Sequence, residues 1–251
     1  ADRHGSHVAG TVGARGENQI GVSGVNMNVK IMAVAGASGN TSTVLRAYGY
    51  VLAQKKLWLS SGGKEGANVV STNSSFGIDR GNCNSTQYKV WNDIYNEMGK
   101  AGILSAAATA NAGWDIDTVG DVPTGCDSPY IISVTNSTNT GKKAGSAGYG
   151  ITTIDIAAPG TGIYSTLPNN RYGNLTGTSM ATPHIAGAVA YLHSVGSKTW
   201  NDNYYVNPGE AALALKKAMM ENVTPTAELK TKIVSGGILN LLTSGQAMSK
   251  M

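Results

Sequence analysis

Short β-rich or small apolar runs alternate with longer helical patterns along the whole chain, and this alternation narrows the possible folds more than any other feature. Residues 30–35 (KIMAVA), 67–71 (ANVVS), 102–108 (GILSAAA), 130–134 (YIISV) and 154–157 (IDIA) read as strands. Residues 43–59, 86–100, 179 to about 194, and 208–220 read as helices, the last opened by a proline. Nearly continuous apolar strands separated by helices predict an α/β fold, with a mostly parallel central sheet and helices on both faces. In such sheets function gathers beyond the carboxyl ends of the strands. Residues 36–43 and 112–128 read as surface loops.

At 251 residues the chain is long enough for one large domain with a real core, and one domain is expected. The 33 glycines and single phenylalanine point to a compact core of small side chains with many tight turns. The formal charge of +4 comes from scattered residues whose only doublets are Lys55-Lys56, Lys142-Lys143 and Lys216-Lys217. These read as solvated faces rather than a nucleic-acid surface. No apolar run approaches the roughly 20 residues of a membrane-spanning helix. Cys83 and Cys126 lie in polar loops without the CxxC spacing of a metal or redox site, leaving either two free thiols or a possible disulfide.

The chemistry concentrates in two segments. In residues 177–187 (GTSMATPHIAG) a pattern of small residues begins at Ser179 and accepts Pro183, which reads as a proline in the first turn of a new helix. A helix N-terminus offers unpaired N–H groups and a positive dipole end to a serine that needs a developing oxyanion stabilised. The serine also needs a base. His184 and His193 follow Ser179 on the same helix and point away from its hydroxyl, which leaves His4 and His7 in HGSHVAGT. That HxxH pair could also hold a metal, although no third ligand lies near it in sequence.

Together, HGSHVAGT and GTSMATPHIAG resemble, in order and separation, the two best-known signatures of the subtilisin-like serine peptidases, the subtilases. Residues 73–77 (NSSFG), 106–113 (AAATANAG) and 154–166 (IDIAAPGTGIYST) are similar to further family segments, so the resemblance covers essentially the whole chain. It implies a subtilisin-like three-layer α/β fold, with residues 1–251 as a subtilase catalytic domain. It implies the catalytic set His4 (general base), Ser179 (nucleophile) and Asn111 (oxyanion donor), with His7 in a structural place. Ser75, Phe76 and Gly77 would form the strand that pairs with an extended substrate and one wall of the specificity pocket. The pocket floor would come from residues 112–128.

Two features depart from the family pattern. Ala110 stands where the family usually has glycine, a steric cost if that position needs positive φ. The family's aspartate precedes its histidine on a separate strand, whereas Asp2 is two residues from His4 and reads as a loop residue. The expectation is therefore a chain that lacks the N-terminal part carrying the catalytic aspartate and one central strand.

The resemblance implies a secreted serine endopeptidase acting on polypeptide substrates as a monomer, with no nucleic-acid or membrane partner. The alternatives are a non-catalytic module that holds extended peptides, and metal-dependent hydrolysis at His4 and His7. No cofactor is required; calcium is a candidate structural ion, at the Asn18 loop (RGENQIG) or among the aspartates of residues 113–121 (GWDIDTVGD).

Overall fold

The computed structural model describes residues 2–36 and 40–251. In chain order the first elements are α1 (Arg3–Gly13), α2 (Thr41–Ser60), β1 (Ser71–Ser74), β2 (Ile78–Asp79), α3 (Lys89–Lys100) and β3 (Leu104–Ala108). Next come α4 (Ile116–Val119), β4 (Asp121–Val122), β5 (Ile131–Ser137), β6 (Ile156–Pro159), β7 (Ile163–Leu167) and β8 (Arg171–Leu175). The chain ends with α5 (Thr178–Val195), α6 (Lys198–Val206), α7 (Pro208–Glu221), β9 (Thr224–Pro225), β10 (Gly237–Ile238) and α8 (Leu241–Met248).

Six strands form the main sheet in the order β1-β3-β5-β6-β10-β9, with every pairing parallel except the last. Alternation within each strand supplies two buried faces. Leu104, Ala106, Ile132, Val134, Ile156 and Ala158 point to one side, where α5 crosses the sheet with α6, α7 and α8 packed beside it. Ile103, Ala107 and Ile131 point to the other, beneath Val44, Tyr48 and Val51 of α2 and Trp91, Tyr95 and Met98 of α3. The result is the expected α/β layering. Small residues let α5 sit close to its neighbours: a Cβ on Gly187 would stand 2.9 Å from the Val12 carbonyl of α1 and 2.8 Å from Val25. Two small antiparallel pairs, β2 with β4 and β7 with β8, lie outside the main sheet.

The helices at 43–59, 179–194 and 208–220 and the strands at 102–108, 130–134 and 154–157 all appear, with ends moved by at most three residues. The helix expected from residue 86 begins at Lys89, because residues 82–88 form hydrogen-bonded turns. The strand expected at 67–71 is displaced to Ser71–Ser74. Residues 30–35 are a clear correction: they form no strand, and Ile31, Met32 and Val34 remain 36–48% exposed. A strand exists only through a neighbour that pairs its backbone, and among the described residues none lies beside this segment. The β1 strand likewise has one neighbour, β3, and forms the sheet edge. In the loop expected at 36–43, residues 37–39 lie outside the described residues and α2 begins at Thr41. The loop expected at 112–128 contains α4 and β4.

Candidate active site

The first turn of α5 carries Ser179 and meets the carboxyl ends of β1 and β3. Pro183 is the sixth residue of α5, beyond the first turn that the sequence suggested. Lacking an N–H, it cannot donate to the carbonyl four residues back, which belongs to Ser179. The Ser75 hydroxyl takes its place, donating to the Ser179 carbonyl at 2.8 Å. In return the Ser179 hydroxyl donates to the Ser75 carbonyl at 3.3 Å, a long bond. Nucleophile candidate and substrate-strand candidate are thus linked in both directions, and the proline accounts for it.

Asn111 follows β3 and is exposed, yet its orientation is fixed. Its Oδ1 accepts from the Thr178 N–H at 2.9 Å and from the Thr178 hydroxyl at 3.1 Å, and that hydroxyl also donates to the Thr109 carbonyl at 2.6 Å. With Oδ1 committed, Nδ2 is left as a donor beside the helix terminus. The Ser179 N–H is one of the first N–H groups of α5, which have no intrahelical partner. Thr178, which the sequence marks only as a short neighbour of Ser179, holds this corner together. Gly177, the N-cap, has φ 155°, and a Cβ there would stand 3.0 Å from Asn111 Oδ1. Ala110 does not adopt positive φ, so the alanine carries no steric cost.

His4 and His7 lie one turn apart on α1, which packs against α5 and β7. His7 is fully buried, and its Nε2 donates to the carbonyls of Ile163 (2.8 Å) and Gly173 (3.1 Å) in the β7–β8 hairpin. A nitrogen committed to two carbonyls is not free to ligate a metal. The His4 ring is exposed and makes no hydrogen bond among the described residues; none joins it to Ser179. Asp2 is the N-cap of α1: its carboxylate accepts from the Gly5 N–H (2.8 Å) and the His4 N–H (3.1 Å). Those bonds, Gly5 first, hold its carboxyl below the ordinary range. It caps the helix and does not bond the imidazole.

Ser75, Phe76 and Gly77 run on from β1 toward β2, and only part of this segment faces outward. Phe76 packs its ring against the core under α2 and α3, while Gly77 is exposed. Cys83 and Cys126 are joined in a disulfide that ties the chain after β2 to the chain after β4.

Among the described residues no three His, Cys, Asp or Glu side chains assemble into a metal site. The Asn18 side chain accepts from the Ile20 N–H. The aspartates of residues 113–121 serve other purposes: Asp115 caps α4, and Asp117 accepts from Thr152 and Thr153. Burial acts to raise the Asp117 carboxyl, and the bonds from Thr153 and Thr152 outweigh it, leaving it below the usual range. Asp121, the third, is buried in β4.

A domain with this parallel sheet, a serine on the first turn of the central helix and a fixed asparagine amide beside it has a clear family. Residues 1–240 match the model of the subtilase family, peptidase S8, and the chain belongs to it. It is 35% identical over 207 residues to subtilisin E of Bacillus subtilis (strain 168), covering 79% of this chain and 47% of that protein. It is 34% identical over 203 residues to the alkaline elastase YaB of Bacillus sp. (strain YaB), with the same coverages. The chain spans about half the length of these curated relatives. Among solved structures, a protease from Pseudoalteromonas arctica PAMC 21717 superposes with a TM-score of 0.71 at 26% identity, covering 98% of this chain and 71% of that one. The prenylagaramide maturation protease PagA shares the fold, with a TM-score of 0.70 at 22% identity over 98% of this chain and 83% of its own.

Proposed function

We propose that this chain is the catalytic domain of a serine endopeptidase that acylates Ser179. The observation that carries the reading is the fixed amide of Asn111: Thr178 pins its acceptor end, so its donor end stands with the Ser179 N–H at the start of α5. Two donors at a helix N-terminus form a ready field for the oxyanion of a tetrahedral intermediate. In the reaction, the Ser179 hydroxyl leaves its long bond to the Ser75 carbonyl and gives its proton to His4 as Oγ attacks the peptide carbonyl carbon. The His4 imidazolium then protonates the leaving amine. Water, deprotonated by His4, cleaves the acyl-enzyme and restores the serine. An extended peptide lies along residues 75–77, held mainly by backbone bonds.

The substrates are polypeptides and the working form is a monomer. The disulfide suits an oxidising compartment and supports secretion. Calcium would serve only as a structural ion. The test is turnover of an unstructured protein by the full-length enzyme, which Ser179→Ala and His4→Ala each abolish; undiminished turnover in Ser179→Ala contradicts the reading.

The alternative is a non-catalytic module that holds extended peptides along residues 75–77 without cutting them. Peptide retention by the full-length protein, without turnover and unaltered by Ser179→Ala, would support this alternative.

A further inference from the structure

We propose that Tyr48 is a positioning residue for the peptide cleft: its buried hydroxyl tethers Ser74 and thereby holds residues 75–77 where an extended polypeptide pairs with them. This rests on residues 75–77 forming the substrate strand, as proposed above.

The strand that would receive a substrate has little backbone support of its own. β1 has four residues and pairs only with β3, so its other edge has no partner among the described residues. Ser74 ends β1 beside Ala107 and shares that residue's face of the sheet, the one covered by α2 and α3. It is fully buried, and its Oγ shares a 2.5 Å hydrogen bond with the Tyr48 hydroxyl of α2. A second bond, of 2.8 Å, joins Tyr48 to the Tyr95 hydroxyl of α3. The two tyrosine rings lie 5.2 Å apart, and each is 6.3 Å from the Trp91 ring. Rings packed in this way do not swing, so the Tyr48 hydroxyl stands at a fixed point behind the strand. Burial pushes Tyr48 up to about 12, and the hydroxyl keeps its proton through neutral and mildly alkaline pH.

From that point the tether runs forward to the site. The next residue, Ser75, points the other way, toward α5: its Oγ accepts from the Asn73 amide at 3.0 Å and donates to the Ser179 carbonyl at 2.8 Å. A shift of Ser74 would therefore move the backbone of Ser75, where a peptide would begin to pair. Phe76 belongs to the same cluster as the tyrosines and would follow. Hydroxyls bonded inside a largely apolar cluster add little stability over apolar side chains of the same shape. Their directional bonds instead fix one position for the strand end.

The test compares single hydroxyl deletions in the full-length protein. Ser74→Ala and Tyr48→Phe cut the tether, whereas Tyr95→Phe removes a hydroxyl from the same network and leaves the Tyr48 to Ser74 bond in place. Ser74→Ala also leaves the two tyrosine hydroxyls bonded to each other, so it carries the test alone if Tyr48→Phe folds poorly. Cleavage of an unstructured polypeptide gives KM and kcat; binding of the same polypeptide, fluorescein-labelled, is read by anisotropy in the Ser179→Ala background. Ser74→Ala and Tyr48→Phe should each raise KM and Kd by about 5- to 10-fold, with kcat within about twofold. Tyr95→Phe should stay near wild type, and the Tyr48→Phe, Ser74→Ala double variant should bind no more weakly than either single one. If nothing is cleaved but binding weakens in this pattern, the endopeptidase reading fails and the role of Tyr48 stands. If the polypeptide is cleaved and folded Ser74→Ala and Tyr48→Phe leave KM unchanged, or all three variants raise it alike, Tyr48 is a core residue only and the endopeptidase reading stands.

Discussion

Pro183 shows how one missing N–H shapes a site. It frees the Ser179 carbonyl, Ser75 bonds it, and the strand that would hold a substrate is thereby tied to the residue that would attack it. Ser75→Ala should cost about 1–3 kcal/mol in urea unfolding, because the carbonyl is left without a side-chain donor, and Ser75→Thr should recover most of the loss. If Asn111 is the oxyanion donor proposed above, Asn111→Ala should lower kcat by about 10²–10³ with little change in KM, because such a donor acts on charge that exists only in the transition state. An equal rise in KM would show that Asn111 binds the ground state instead. These residues were legible in the sequence because short motifs surround them. Thr178 and Asp121 were not. A threonine before a serine is commonplace, and a carboxylate in a glycine-rich loop looks solvated until the β2–β4 pairing buries it.

Among the elements, α5 was the most legible: its small residues, opening at the Gly-Thr-Ser stretch whose Gly177 is the N-cap, mark both its start and the close packing that follows. That packing is testable. Gly187→Val would drive a side chain into the Val12 carbonyl and Val25, and calorimetry should report a loss of about 1–3 kcal/mol or more, reflecting the closeness of α1 to α5. An unchanged melting temperature would mean that α1 yields readily, and with it the position of His4. Residues 30–35 failed for the opposite reason. The apolar run KIMAVA has the composition of a strand, but strand formation depends on a partner that composition does not reveal. The strand forecast at 67–71 slipped three to four residues because its register comes from β3, whose Leu104 pairs with Ser71.

For the whole molecule, the clearest physical signature is a dependence of stability on pH set by a buried lysine. Lys55 of α2 is fully buried; its Nζ donates to Tyr204 at 2.6 Å and to Asn68 at 2.5 Å, and lies over the rings of Trp58 and Tyr204. No carboxylate pairs with it among the described residues, and burial lowers its pKa to about 7. Nearby His193 is lowered to about 4, by burial first and by Lys55 next. Both groups hold fewer protons folded than unfolded, so stability rises with pH. The Lys55 contribution is complete above its unfolded value near 10.5 and is lost as pH falls toward 7; that of His193 is lost between about 6.5 and 4. Asp121 has the opposite sign, because its raised carboxyl loses stability as pH climbs from 3.8 toward 7. The tyrosines Tyr48, Tyr95 and Tyr204, raised chiefly by burial, also oppose it, but only above about pH 10. Between pH 7 and 9.5 Lys55 therefore dominates, with a smaller contribution of the same sign from half-buried Lys143. The melting temperature should climb across this range by an amount reflecting a few kcal/mol, and Lys55→Met should flatten most of the climb. A wild-type curve that is already flat would mean that Asn68, Tyr204 and the aromatic rings fully support the charged lysine.

On the proposed function, Ser179 is a nucleophile made ready by the start of α5 and by Asn111. The most direct test is to treat the folded full-length protein with a fluorophosphonate and map the adduct by mass spectrometry. One label is expected, on Ser179, absent from Ser179→Ala and slower to form in Asn111→Ala. A folded protein that takes no label, or takes it on another residue, would contradict that function.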